Sequence, residues 1–118
     1  MKASVYVVAI AILLNLSSEA LAVGAIAIDD RVGETTPGYG FALGRRDKEE
    51  ARRAAMAECR RAGNNKCEFK VWFESCGAYA ASKRYYGVGW GGTAGAAKKM
   101  ALQNCGRPAC EIKIAKCE

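Results

Sequence analysis

Histidine is absent from this chain of 118 residues, and that absence removes a good deal of chemistry. No imidazole is available as a base near neutral pH, as a member of a hydrolytic triad or as a metal ligand. No two cysteines stand in C-x2-C spacing, so a zinc knuckle is excluded as well. Proline occurs only twice, and no uninterrupted apolar run reaches the ~20 residues that a membrane-spanning helix needs. The one apolar stretch, Val5 to Leu16, follows a basic start at Lys2 and leads into Ala20-Leu21-Ala22. That arrangement predicts a signal peptide over residues 1–22, cleaved after Ala22, with no stable membrane insertion afterwards. The remainder, 23–118, has the length of a single domain.

Six cysteines, Cys59, Cys67, Cys76, Cys105, Cys110 and Cys117, all fall after the leader. An even set in a small exported chain reads as a disulfide framework, and points to a periplasmic or secreted protein. A domain this small buries little surface, so such cross-links matter to its stability. The formal net charge is +6 and the pI about 9.1. A basic exported domain favours an anionic partner, here another protein or an anionic component of the cell envelope; nucleic acid is the less expected partner outside the cytoplasm.

Residues 23–76 and 77–118 repeat one another. Gly24-Ala25-Ile26-Ala27 returns as Gly77-Ala78-Tyr79-Ala80, and Tyr39-Gly40 as Tyr86-Gly87. Ala51, Ala55 and Cys59 return as Ala97, Ala101 and Cys105 at the same four-residue spacing. Cys67-Glu68-Phe69-Lys70-Val71 returns as Cys110-Glu111-Ile112-Lys113-Ile114. Order is kept and only loop lengths differ, so the chain reads as a tandem duplication. Each copy is expected to run strand, strand, helix, strand. Strands are expected at Gly24–Ile28 and Gly38–Leu43, and at Gly77–Ala81 and Tyr85–Trp90. Asp47 is the expected N-cap of the first helix, with Glu50 completing a capping box, and Thr93 caps the second. Ala51, Ala55, Cys59 and Ala62 form one helical face whose small side chains imply a helix lying close on a sheet. The predicted fold is therefore α+β: two tandem strand-strand-helix-strand repeats related by pseudo-symmetry, a sheet covered by two helices, and three disulfides.

The last strand of each copy alternates. Cys67, Phe69, Val71 and Phe73 are expected on one face, and Cys110, Ile112 and Ile114 on the equivalent face. That face is also where the helix-end cysteines point, which favours Cys59–Cys67 and Cys105–Cys110. Cys76–Cys117 then remains, expected to join equivalent positions of the two copies. The choice excludes an antiparallel pairing of Glu68 and Lys70 with Lys113 and Glu111, which would carry Cys76 and Cys117 beyond disulfide reach.

On Tyr-Gly, Ala-x3-Ala-x3-Cys and Cys-Glu-x-Lys, each present twice, the chain resembles an exported bacterial family, domain-of-unknown-function family 4189. The resemblance covers nearly everything after the leader. It implies export and an α+β domain, and carries no agreed activity and hence no catalytic residues.

Gly87-Val88-Gly89-Trp90-Gly91-Gly92 satisfies the G-x-G-x-x-G pattern of a pyrophosphate cradle. The first copy lacks it and no parallel βαβ unit is expected, so a tight turn with close backbone packing is the better reading, and no cofactor or metal is predicted. The charge is unevenly shared: net +1 in residues 23–76 against +5 in 77–118. The basic half also interleaves aromatics with its cations, and Lys83, Arg84, Tyr85, Tyr86, Trp90, Lys98 and Lys99 are the candidate binding residues. Asp29-Asp30 and Glu49-Glu50 are adjacent in sequence, without the across-a-cleft placement that paired-carboxylate catalysis needs. The expected function is a non-enzymatic exported binding module, such as a periplasmic inhibitor or immunity-type protein. A secreted effector acting on another cell and a small hydrolase are the alternatives.

Overall fold

The computed structural model describes residues 22–30 and 36–118. The expected leader, save Ala22, lies outside the described residues. Among the described residues eight elements occur in order: β1 (Val23–Asp29), β2 (Gly38–Arg45), α1 (Lys48–Arg61), β3 (Cys67–Phe73), β4 (Cys76–Ala81), β5 (Tyr86–Gly91), α2 (Ala94–Cys105) and β6 (Glu111–Cys117). The α+β class, the two strand-strand-helix-strand repeats and the three disulfides are those expected. The single sheet is not: each repeat builds its own antiparallel sheet of three strands, in the order β2-β1-β3 and β5-β4-β6. Each helix covers the outside of its own sheet, and the two sheets face each other.

Three cores result from that layering. Ala25, Ala27, Ala42, Ala51, Ala55 and Cys59 are buried between α1 and the first sheet. Ala78, Ala80, Ala97, Ala101 and Cys105 do the same beneath α2. Between the sheets lie Ile26, Ile28, Phe73, Tyr79 and Ala81, with Tyr39, Phe41, Val71, Tyr86, Val88 and Ile114 packed around them. The central strands β1 and β4 are buried along their whole length because each serves two cores, with alternate residues going to each. Phe73, the last residue of β3, closes one end of the inter-sheet core. A methyl group on either Gly24 or Gly77, equivalent residues of the two repeats, would lie within 2.5 Å of its ring.

Helix α1 starts where expected. Asp47 is extended and its carboxylate accepts from the Glu50 amide at 2.8 Å. The reciprocal half of the capping box does not form, because the Glu50 carboxylate is engaged by Arg46 at 3.2 Å and Arg45 at 3.9 Å. Thr93 caps α2 through the Ala96 amide, and Gly106 ends it in the left-handed conformation with φ 71°. Ala62, expected on the buried face of α1, is its exposed C-cap instead.

The disulfides are Cys59–Cys67, Cys76–Cys117 and Cys105–Cys110. The first and last tie each helix end to the strand after it. Two expectations behind that pairing are overturned. Cys76 opens β4, directly opposite Cys117 on β6, so this bond lies within the second repeat and does not join the copies. All three bonds close inside one repeat or the other, and the halves are held together by chain continuity and by non-covalent contacts, the inter-sheet core and cross-repeat hydrogen bonds such as Gly44 N–H to the Glu118 carboxylate at 2.7 Å among them.

The shared face of β3 is also interrupted. Register shifts at Lys70, where Ile26 faces Val71 and Ala27 faces Phe69, and shifts again at Lys113 in the second sheet. Each bulge inserts one residue and moves the rest of the strand to the opposite face. Cys67 and Phe69 therefore pack under α1, whereas Val71 and Phe73 pack between the sheets. Ile112 and Ile114 divide in the same way. Strict alternation was the wrong assumption, and the lysine of each Cys-Glu-x-Lys motif is the inserted residue.

Candidate binding surface

The repeated motifs are fold determinants. In Tyr-Gly, the tyrosine ring enters the inter-sheet core, where Tyr39 lies 4.8 Å and Tyr86 6.5 Å from Tyr79, ring centre to ring centre. The glycine lets a helix backbone rest on the strand. A Cβ on Gly40 would stand 2.1 Å from the Ala55 carbonyl oxygen, and one on Gly87 2.2 Å from that of Ala101. The Ala-x3-Ala-x3-Cys stripe supplies the other side of that contact. Gly89 sits equally close under α2, with its Cβ position 2.1 Å from the Ala97 carbonyl oxygen. The G-x-G-x-x-G run is thus strand β5 pressed against a helix: the close backbone packing expected of it is present, in a strand and not in a tight turn.

The bulge lysines reach across to the other repeat. Lys70 Nζ lies 5.7 Å from the centre of the Tyr86 ring and pairs with Glu68 at 3.1 Å and Asp30 at 3.6 Å. Burial opposes its charge, but Tyr86, Glu68 and Asp30 outweigh that and hold its pKa above the ordinary lysine value. Lys113 pairs with Glu111 at 3.5 Å and lines a cleft with Tyr39. The Tyr79 hydroxyl donates to the Pro37 carbonyl, and burial, with Tyr39 and Tyr86 close by, pushes its pKa up. Asp29, 2 % exposed, accepts from the Lys66 amide at 3.2 Å.

The candidate binding residues do not share one face. Lys83, Arg84 and Tyr85 form the β4–β5 turn, closed by the Ser82 amide donating to the Tyr85 carbonyl at 2.9 Å. Tyr85 is 42 % exposed, and the Arg107 guanidinium stacks on it at 4.1 Å. With Lys113 and Glu111 these residues surround a cleft of about 620 Å³ floored by Ala81, Pro108 and Ala109. Tyr86, the next residue, turns inward. Trp90 is at the far end of β5, 44 % exposed, where it lines a separate cleft of about 460 Å³ with Trp72 and Lys48. Lys48 Nζ already lies 5.1 Å from the Trp72 ring centre, and the Trp72 indole donates to the Lys48 carbonyl at 2.9 Å. Lys98 and Lys99 are exposed on α2, outside the sheet. Reading the sequence did not single out Arg107 or Lys113. Nothing local in the sequence shows that the segment after α2, which carries Arg107, returns beside Tyr85.

The charge imbalance becomes a difference in pairing. In the first repeat Arg45, Arg46, Arg52, Arg61 and Lys70 each meet an acid. Of the second repeat's cations only Lys113 does so among the described residues. No cluster of metal-binding side chains occurs among the described residues, and none of the helices there is long and apolar enough to cross a membrane.

Fold and cross-links together define a small disulfide-stabilised α+β domain made of two fused repeats, three internal disulfides being a common feature of proteins that work in oxidising surroundings. The model of the domain of unknown function DUF4189 matches residues 23–117, and the chain belongs to that family. No curated protein and no solved structure matches it.

Proposed function

We propose that this protein is an exported, non-enzymatic binding module that occupies an acidic surface of a partner protein, in the manner of an inhibitor or immunity protein. It works in the periplasm or outside the cell, where its disulfides persist. One observation carries this reading. Six of the seven cations of the second repeat meet no acid among the described residues, against Lys48, Arg53, Arg60 and Lys66 in the first, and Lys83, Arg84 and Arg107 stand around an exposed tyrosine at one cleft. The aromatic ring supplies buried area at little entropic cost, and the cations supply steering and register. The first repeat, in which Arg45, Arg46, Arg52, Arg61 and Lys70 already meet acids, serves as a scaffold that holds the second.

The test is capture of partners from envelope and culture fractions by the mature chain, followed by affinity measurement on whatever is captured at stoichiometric ratio. Lys83→Glu together with Arg84→Glu is expected to weaken binding at least about a hundredfold, since two charge-assisted contacts of ~1.5 kcal/mol each are lost. These side chains are outside every core, so the melting temperature is expected to stay within about 2 °C. Unchanged affinity in the double variant refutes the face.

A further inference from the structure

The pseudo-symmetry shows what the cleft is missing. Strand registers equate Ile28 with Ala81, through their pairing with Glu68 and Glu111, and so equate Asp29 with Ser82 and Asp30 with Lys83. In the first repeat the bulge lysine, Lys70, holds two carboxylates: Glu68 of its own strand and Asp30, just past the central strand. In the second repeat Lys113 keeps the first of these as Glu111, but the position of Asp30 belongs to Lys83. Two carboxylates at the end of the first central strand have become a hydroxyl and an ammonium, and Arg107 stacks on Tyr85 at the same cleft.

We propose that the cleft takes a carboxylate from outside, an Asp or Glu side chain on an extended acidic segment of a partner protein, set between Lys83 and Lys113 in the role that Asp30 plays in the first repeat. This rests on the reading of the second repeat as the binding face and specifies what that face holds. A carboxylate is favoured over a phosphate because the fold's own filled version of this site uses one. Exposed Pro108 and Ala109 offer the apolar neighbours of such a side chain somewhere to pack, which a bare polyanion would leave unused. Lys83, Arg84, Arg107 and Lys113 line the cleft against one acid, Glu111, so an entering carboxylate relieves the remaining like-charge repulsion as well as forming ion pairs.

Lys83→Asp rebuilds the first repeat's arrangement, giving Lys113 a second internal acid and closing the site to a competitor. Lys98→Asp makes the same change in net charge on the outer helix. Capped poly-L-glutamate and oligothymidylate of matched charge are titrated at low salt into the full mature chain and both variants, with amide shifts read at Lys83, Tyr85, Arg107 and Lys113. Poly-L-glutamate is expected to shift those four amides, to bind the Lys83→Asp variant at least about tenfold more weakly, and to bind the Lys98→Asp variant within twofold of wild type. Equal weakening by both variants, or tighter binding of oligothymidylate, overturns the carboxylate assignment. If the natural partner is still lost on Lys83→Glu with Arg84→Glu, the face stands and only its occupant was wrong. If the four amides stay still and the partner ignores that double variant, both readings fall.

Discussion

Replacing Gly40 by alanine drives a methyl group into the backbone of α1. The new Cβ would stand 2.1 Å from the Ala55 carbonyl oxygen, 2.3 Å from the Cys59 nitrogen and 2.8 Å from the Cys59 Cα. Ordinary contact needs about 3.5 Å, so the helix must retreat by more than about 1 Å; none of the obstacles is a side chain that can swing aside. Ala51 and Ala55 have no reach with which to follow, and a gap of that size forfeits up to about half of each dispersion contact they make. The Cys59–Cys67 bond meanwhile keeps the helix end pinned to β3. Overpacking of this kind costs about 3 kcal/mol, near the top of the usual range because only backbone stands in the way. In a domain of this size that lowers the melting temperature by more than about 10 °C. The measurement is thermal and denaturant unfolding of Gly40→Ala beside Gly95→Ala, a helical position with nothing within 4 Å of its Cβ, where alanine should add up to about 1 kcal/mol. A Gly40→Ala protein that melts within about 2 °C of wild type would refute the account of the Tyr-Gly motif.

Two further outcomes are expected from the same contacts. Cutting a protease site inserted between Glu74 and Ser75 should release two fragments on a non-reducing denaturing gel, since every disulfide closes within one repeat; one undivided band would mean that a bond crosses between them. Stability should fall as pH rises above about 10. The raised pKa values of Lys70 and Tyr79 mean that the folded chain keeps protons the unfolded chain gives up, so their contribution is complete below the unfolded values and drains away above them. Denaturant midpoints between pH 8 and 11.5 test this, and Lys70→Met should flatten the decline; a midpoint that does not move with pH contradicts the assigned shifts.

Much of this was legible in the residue order because it is local or repeated. Asp47 and Thr93 mark helix starts by their own side-chain chemistry, and the alanine-cysteine stripe fixes which face of each helix meets a sheet. Repetition then made each half a check on the other, which is how a pairing of six cysteines could be chosen at all. The assignment of Cys76 went astray by a single residue. Its distance from the first repeat's last strand is short, and only the ladder opposite Cys117 shows that it already belongs to the next sheet. The candidate cleft was half visible: Lys83, Arg84 and Tyr85 are consecutive, whereas Arg107 and Lys113 join them only after the chain has passed through a strand and a helix.

Composition and pattern alone determined the class of this protein: a duplicated α+β unit, cross-linked by sulfur and basic at one end. These properties are sums or short-range periods, and survive in any conformation of the chain. Tertiary structure decided the division into two sheets, the confinement of each disulfide to one repeat and the exchange of Asp30 for Lys83 beside a bulge lysine. Those depend on strand register, and a one-residue bulge that exchanges the two faces of a strand leaves no mark in the order of its side chains.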